Sequence, residues 1–147
     1  PMGYDIGNVI ANMIFAWANG DAAGAADFCK WVEDVLVDVI NMTREKMEKY
    51  YDEHVTDTMC KNELYKKYYM DTIIEDTSAV TGLEMIRRIV GMANVKDITT
   101  IADEAKRARA EKICITAAID FIKNRNDKKC GKCFLKTLTD AIAEVDA

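Results

Sequence analysis

Three groups of residues in the 147-residue sequence have types and spacings that could do chemistry. Arg87 and Arg88 interrupt the apolar run Met85-Ile86-Arg87-Arg88-Ile89-Val90. A guanidinium offers its N–H donors as a rigid fork, so two of them can hold a phosphate, a carboxylate or vicinal hydroxyls in one geometry, which lysine does less well. The same side chains could instead pair with local carboxylates such as Glu84, and the pattern leaves both readings open. Cys130 and Cys133 are spaced as Cys-Gly-Lys-Cys, which suits half a zinc site or a redox pair. Zinc would need two further ligands, while Cys29, Cys60 and Cys114 stand singly on separate helices. A thioredoxin-like site would need a β-α-β setting that the pattern lacks, so two plain thiols at the mouth of the last helix are the simpler reading. The sole histidine, His54, lies in the acidic stretch from Tyr51 to Asp57 and reads as an exposed structural residue. There is no Gly-rich phosphate loop, no His-Glu-x-x-His and no Gly-x-Ser-x-Gly. No catalytic residue and no metal ligand is therefore assigned in this chain.

The elements that must position these groups read as all-α, about six helices. One proline and seven glycines leave few breakers. From Ile6, residues Val9, Ile10, Met13, Ile14 and Trp17 recur with helical period, and Asn19-Gly20 is expected to end that helix. A longer helix spans about Ala25 to Tyr51, with Phe28, Trp31, Val32, Val35, Leu36, Val39, Ile40 and Met47 on its broad apolar face. A third covers about Thr56 to Ile74, where Tyr65, Tyr68 and Tyr69 read as core or interface. The fourth, about Val80 to Ala93, is expected to bury Leu83, Ile86 and Val90, which puts Arg87 at the edge of that stripe and Arg88 nearly opposite. The fifth runs from about Thr100 to Arg125, with Ile101, Ala105, Ala108, Ile115, Ile119 and Ile122 inward, and the last from Phe134 to Val145. Nothing reads as a strand pair.

Composition narrows the function classes. Half the residues are hydrophobic and 31% are charged, enough for one modest domain with a true core. Lys and Arg number 20 against 25 Asp and Glu, a net charge of -5 without a basic face, which argues against nucleic acid as a partner. The longest apolar stretch, Ile6 to Ala18, is too short to cross a bilayer and is broken by Asn8 and Asn12, so no membrane span is expected. The N-terminal residues carry no cationic leader, and an odd number of cysteines fits a reducing compartment, so a cytoplasmic protein is expected.

The segment Pro1-Met2-Gly3-Tyr4-Asp5-Ile6-Gly7, followed by Val9-Ile10-Ala11-Asn12, resembles the stretch just after the metal-binding motif of 5-methylthioribose kinases. Glu84-Met85-Ile86-Arg87-Arg88-Ile89-Val90-Gly91-Met92-Ala93 resembles the twin-arginine helix of the same family, and Arg107 to Asn126 is similar to its penultimate helix. The resemblance covers nearly the whole chain. It implies a protein-kinase-like fold, shared with aminoglycoside and choline kinases, and phosphorylation of the 1-hydroxyl of methylthioribose by Mg-ATP in methionine salvage. It makes Asp5 a buried acid that braces the catalytic loop, and Arg87 and Arg88 the arginines that orient sugar hydroxyls or counter charge on the transferring phosphoryl group. The family's nucleotide lobe, His-Gly-Asp catalytic loop and Asp-x-Glu metal motif have no counterpart here. Residues 1–147 are thus expected to be a single helical domain, the C-terminal substrate-side part of a longer kinase, with Mg-ATP bound by the parent and no activity alone. Family members are commonly dimers, and the tyrosine helix could serve such a contact. The alternative is a stand-alone helical interaction module derived from such a kinase.

Overall fold

A computed structural model describes residues 2–147; Pro1, matched above to a family proline, lies outside the described residues. Helix α1 (Met2–Ala23) stops where Gly24 adopts φ +76°, a left-handed conformation that costs glycine nothing. The chain then reverses into α2 (Ala26–His54), and α3 (Glu63–Ile89) starts at Asn62, whose side chain accepts from the Leu64 and Tyr65 N–H groups. A single turn, α4 (Lys96–Thr99), precedes α5 (Glu104–Lys123), which Asp103 caps in the same way. A 3-10 turn at Arg125–Asp127 leads to α6 (Gly131–Val145). Among the described residues there is no strand, so the all-α reading holds.

Small residues let the central helices touch. A methyl group on Gly7 would sit 2.7 Å from Val80 Cβ, and one on Gly3 would sit 2.8 Å from the Ile73 carbonyl oxygen, so α1 and α3 run parallel at close range. Gly82 similarly meets the Ala118 carbonyl of antiparallel α5, and Ser78 Oγ donates to the Phe121 carbonyl at 2.8 Å. Side chains of α1, α2, α5 and α6 fill the rest of the core, among them Ile10, Ile14, Phe15, Leu36, Ile40, Ile113 and Leu138. The Phe121 and Phe134 rings lie 5.2 Å apart where α5 meets α6.

Several expectations from the sequence change. Asn19 and Gly20 do not end α1: the Asn19 amide donates to the Asp97 carbonyl at 2.6 Å, and Gly20 is small because Phe28 packs against it. The two expected helices on either side of Asp76-Thr77-Ser78 are one. Thr77 and Thr81 return their hydroxyls to carbonyls four residues back, which satisfies them without breaking the helix. The inward stripe near the arginines is also rotated: Leu83 and Val90 are exposed and Ile86 half-buried, while Thr81, Gly82 and Met85 are inside. On α5 the buried set is Ala110, Ile113, Cys114, Ala117, Ala118 and Phe121, whereas Ala105, Ala108 and Ile119 are exposed. Phe28 and Trp31 of α2 are exposed too. Close helix contact favours small residues over the bulkiest ones, so the buried stripes are displaced from those that bulk alone suggests.

Candidate functional site

The last two turns of α3 carry the arginines. One turn before them stands Glu84, a buried carboxylate. It accepts from Arg87 twice, Nε to Oε2 and Nη2 to Oε1, each at 2.8 Å. This is the fork geometry in which a guanidinium and a carboxylate bind most specifically. Arg87 itself is more than half exposed, so its outer edge faces water. Arg88 is half-buried, with Nε 3.7 Å from Glu84 Oε1, and that Nε is enclosed without a hydrogen-bond partner. An enclosed guanidinium N–H with no acceptor is uncommon in folded proteins.

Arg88 opens on a hollow of about 190 Å³ lined by Ile89, Asn94, Ile98, Thr99, Arg107 and Glu111, between the end of α3, α4 and the start of α5. The guanidiniums of Arg88 and Arg107, an amide, a hydroxyl and the Glu111 carboxylate give the hollow both donors and acceptors for a small polar solute, and Arg87 does not line it. The reading in which both arginines pair with local carboxylates is met by both: Arg87 forks Glu84, and Arg88 forms a longer ion pair with it although its Nε makes no hydrogen bond.

The resemblance makes Asp5 a buried acid of the longer kinase, and within this chain alone it stands at the surface. It is exposed in the first turn of α1, beside a shallow hollow it shares with Tyr69, Thr72 and Asp76, and no described element of the chain covers it. An acid there favours the positive end of the helix. Arg88 lies twelve residues beyond Asp76 on α3, about 18 Å at the α-helical rise, so Asp5 and the arginines do not share a site. His54 is exposed and packs at a tilt against Tyr50, with ring centres 4.1 Å apart. Among the described residues no three His, Cys, Asp or Glu side chains converge as metal ligands do.

A larger hollow, about 710 Å³, lies elsewhere, between the end of α2 and the start of α3. Met47, Tyr51, Tyr65, Tyr69 and Met70 line it, and Tyr51 Oη already donates to the Cys60 carbonyl at 2.8 Å. Lys46 and His54 also border it, but its wall is mostly apolar. Tyr65 and Tyr68 of the tyrosine helix are exposed around it, so of the two sequence readings, core or interface, the core does not hold for them.

Two polar networks are not evident from sequence. The pattern marks Glu84 only as a partner of the arginines and not as a buried residue. Asp120 accepts from Thr137 at 2.7 Å and Asn124 at 2.6 Å, and pairs with buried Lys128. Burial works against its charge, yet these donors together hold the carboxyl below the usual aspartate value. No helix of the described residues is long and apolar enough to cross a membrane.

No family model matches this sequence. Curated proteins do. Methylthioribose kinase 1 of Oryza sativa subsp. japonica is 31% identical over 144 residues, 85% of this chain and 33% of that protein. Methylthioribose kinase 2 of the same plant is 31% identical over 141 residues with the same coverage, and the methylthioribose kinase of Escherichia coli is 27% identical over 144 residues, 88% of this chain and 34% of its own. The chain spans about one third of the length of the curated relatives it matches. By sequence, then, this chain is similar to the methylthioribose kinases, over most of its own residues and about a third of theirs.

Proposed function

We propose that the chain is the C-terminal, substrate-side part of a kinase that transfers the γ-phosphate of ATP to the 1-hydroxyl of 5-methylthioribose, a step of methionine salvage in the cytoplasm. The observation that carries this reading is the 31% identity to a methylthioribose kinase across 85% of the chain. The geometry that supports it is the hollow at Arg88. Phosphoryl transfer relies on positioning and on stabilising charge over the equatorial oxygens, and guanidiniums serve both. Glu84 fixes the fork of Arg87, while Arg88 borders the hollow together with Arg107.

Mg-ATP supplies the phosphoryl group when bound to the complete kinase. In this reading Mg-ATP is held by the part of the kinase outside this chain. Without a base for the sugar hydroxyl, the chain alone is inactive in this reading.

The test has two arms. The chain supplied with Mg-ATP and methylthioribose is expected to release no ADP, and stoichiometric release would reject the inactive-part reading. In a complete kinase that contains this sequence, Arg88→Ala is expected to lower kcat by about 100-fold or more, the usual effect of removing one transition-state donor. Arg88→Lys should recover only part of it, and near-normal kinetics in either variant would reject the assigned role.

A further inference from the structure

Cys130 and Cys133 are not used by the proposed kinase chemistry, and the structure treats them unlike the other cysteines. Cys29 and Cys114 are buried in the core, where burial pushes the Cys114 thiol up to about 12, and Cys60 is half-exposed. Cys130 and Cys133 are both half-exposed, with their Sγ atoms 3.0 Å apart. Cys130 is the residue before the first turn of α6 and Cys133 lies inside that turn, where the helix presents its unpaired N–H groups.

The turn that holds the pair is braced on several sides. Gly131 N–H donates to Asn41 Oδ1 at 2.9 Å, and any side chain on Gly131 would strike the Val37 carbonyl. The Lys129 ammonium pairs with Glu75, and the Lys129 carbonyl accepts from Arg44 at 3.3 Å. The two sulfurs are thus held together by contacts with α2 and α3 rather than by chance proximity.

We propose that Cys130 and Cys133 form a reversible dithiol-disulfide site that exchanges with low-molecular-weight disulfides such as oxidised glutathione. Cys133 is the attacking thiol. Its burial opposes the charged form, but hydrogen bonds from the Cys130 thiol and from the backbone of Lys129 and Cys130, with the Lys128 ammonium nearby, hold it below the ordinary cysteine value. Burial, followed by the contact with Cys133, pushes Cys130 the other way, so it keeps its proton until the second step.

The Cys133 thiolate attacks one sulfur of the external disulfide; a new S–S bond forms, the old one breaks, and one thiolate leaves. Cys130 then gives its proton to that departed thiolate and attacks Cys133 Sγ, which expels the second external thiolate. Two protein thiols are oxidised to one disulfide, and one external disulfide is reduced to two thiols.

The experiment is thiol counting with peptide mapping on the full chain. After exposure to oxidised glutathione, removal of excess reagent and denaturation, the five alkylatable cysteines are expected to fall to three, with an intact mass lower by two hydrogens. Trypsin should then yield the peptide Cys130-Gly131-Lys132 joined to Cys133-Phe134-Leu135-Lys136, and reduced glutathione should restore all five thiols. The Cys130→Ser variant, whose serine suits the position before a helix, should instead accumulate a stable glutathione adduct at residue 133. The proposal is overturned if all five thiols stay alkylatable, if adducts collect on Cys60 while Cys130 and Cys133 remain free, or if the new disulfide joins either cysteine to another residue. The wild-type chain alone gives these readouts, so the proposal stands or falls on them even where the variant fails to fold.

Discussion

At the residue scale, Glu84 and Asp120 carry the chemistry that the sequence states least openly. Glu84→Gln keeps the shape and removes the charge that Arg87 forks. Because Arg87 is largely solvated, the expected loss is modest, about 1 kcal/mol, read as a lower urea midpoint. No change would mean the fork contributes nothing to folding. Asp120 gives a pH prediction with a definite sign. Its folded value lies below the ordinary 3.8, so its contribution is full above that value and fades as the pH falls through the folded one. Urea midpoints measured from about pH 5 down to about pH 2 should fall more steeply in the wild type than in Asp120→Asn. Equal slopes would place the acid sensitivity on other groups, Asp71 first among them, since Lys67 and Arg44 overcome its burial and hold it low as well. The arginines are legible in the sequence because charges inside an apolar run stand out. The fork between Glu84 and Arg87 is legible as an alternative, but that Arg88 keeps an enclosed N–H cannot be read without knowing that α4 and α5 wall the hollow beside it.

At the element scale, the helical class and the rough extents of α2 and α6 follow from periodicity, and the errors in the inward faces share one cause. Apolar bulk is a poor sign of the inward face in this molecule, because α3 turns glycine, serine and threonine toward α1 and α5. Two truncations on that helix test this. Met85→Ala, at a fully buried site, is expected to cost about 2–5 kcal/mol, while exposed Leu83→Ala should stay within about 0.5 kcal/mol. The stripe read from sequence demands the reverse order. Gly82→Ala sharpens the point, because helix propensity alone favours alanine by about 1 kcal/mol. Here the added methyl would sit 2.5 Å from the Ala118 carbonyl oxygen, which belongs to the α5 backbone and cannot swing aside. A net loss of about 1–3 kcal/mol is expected, and a more stable variant would show that α3 and α5 are not in close contact.

At the scale of the whole molecule, surface area separates a self-sufficient domain from one with faces to cover. A compact monomer of 16.6 kDa exposes about 7,600 Å² on the usual mass scaling, and this chain exposes 8478 Å². The excess is about 900 Å², close to what one partner contributes to an interface of standard size. Much of it is apolar: Tyr50, Met59, Leu64, Tyr65 and Tyr68 are all exposed on the segments that form the tyrosine-lined hollow or its approaches. A surface of this kind adheres to whatever covers it, whether the rest of a longer kinase or a second copy. The chain by itself is therefore expected to show a weight-average mass that climbs above 16.6 kDa with concentration in sedimentation equilibrium. Adding Leu64→Ser and Tyr65→Ser together should flatten that rise without unfolding the protein, since neither side chain belongs to the core. A constant monomeric mass in the wild type would show that the excess area is only the cost of an elongated helical outline. A rise that survives the double variant would move the contact to the second exposed aromatic pair, Phe28 and Trp31, whose rings lie 5.9 Å apart near the start of α2.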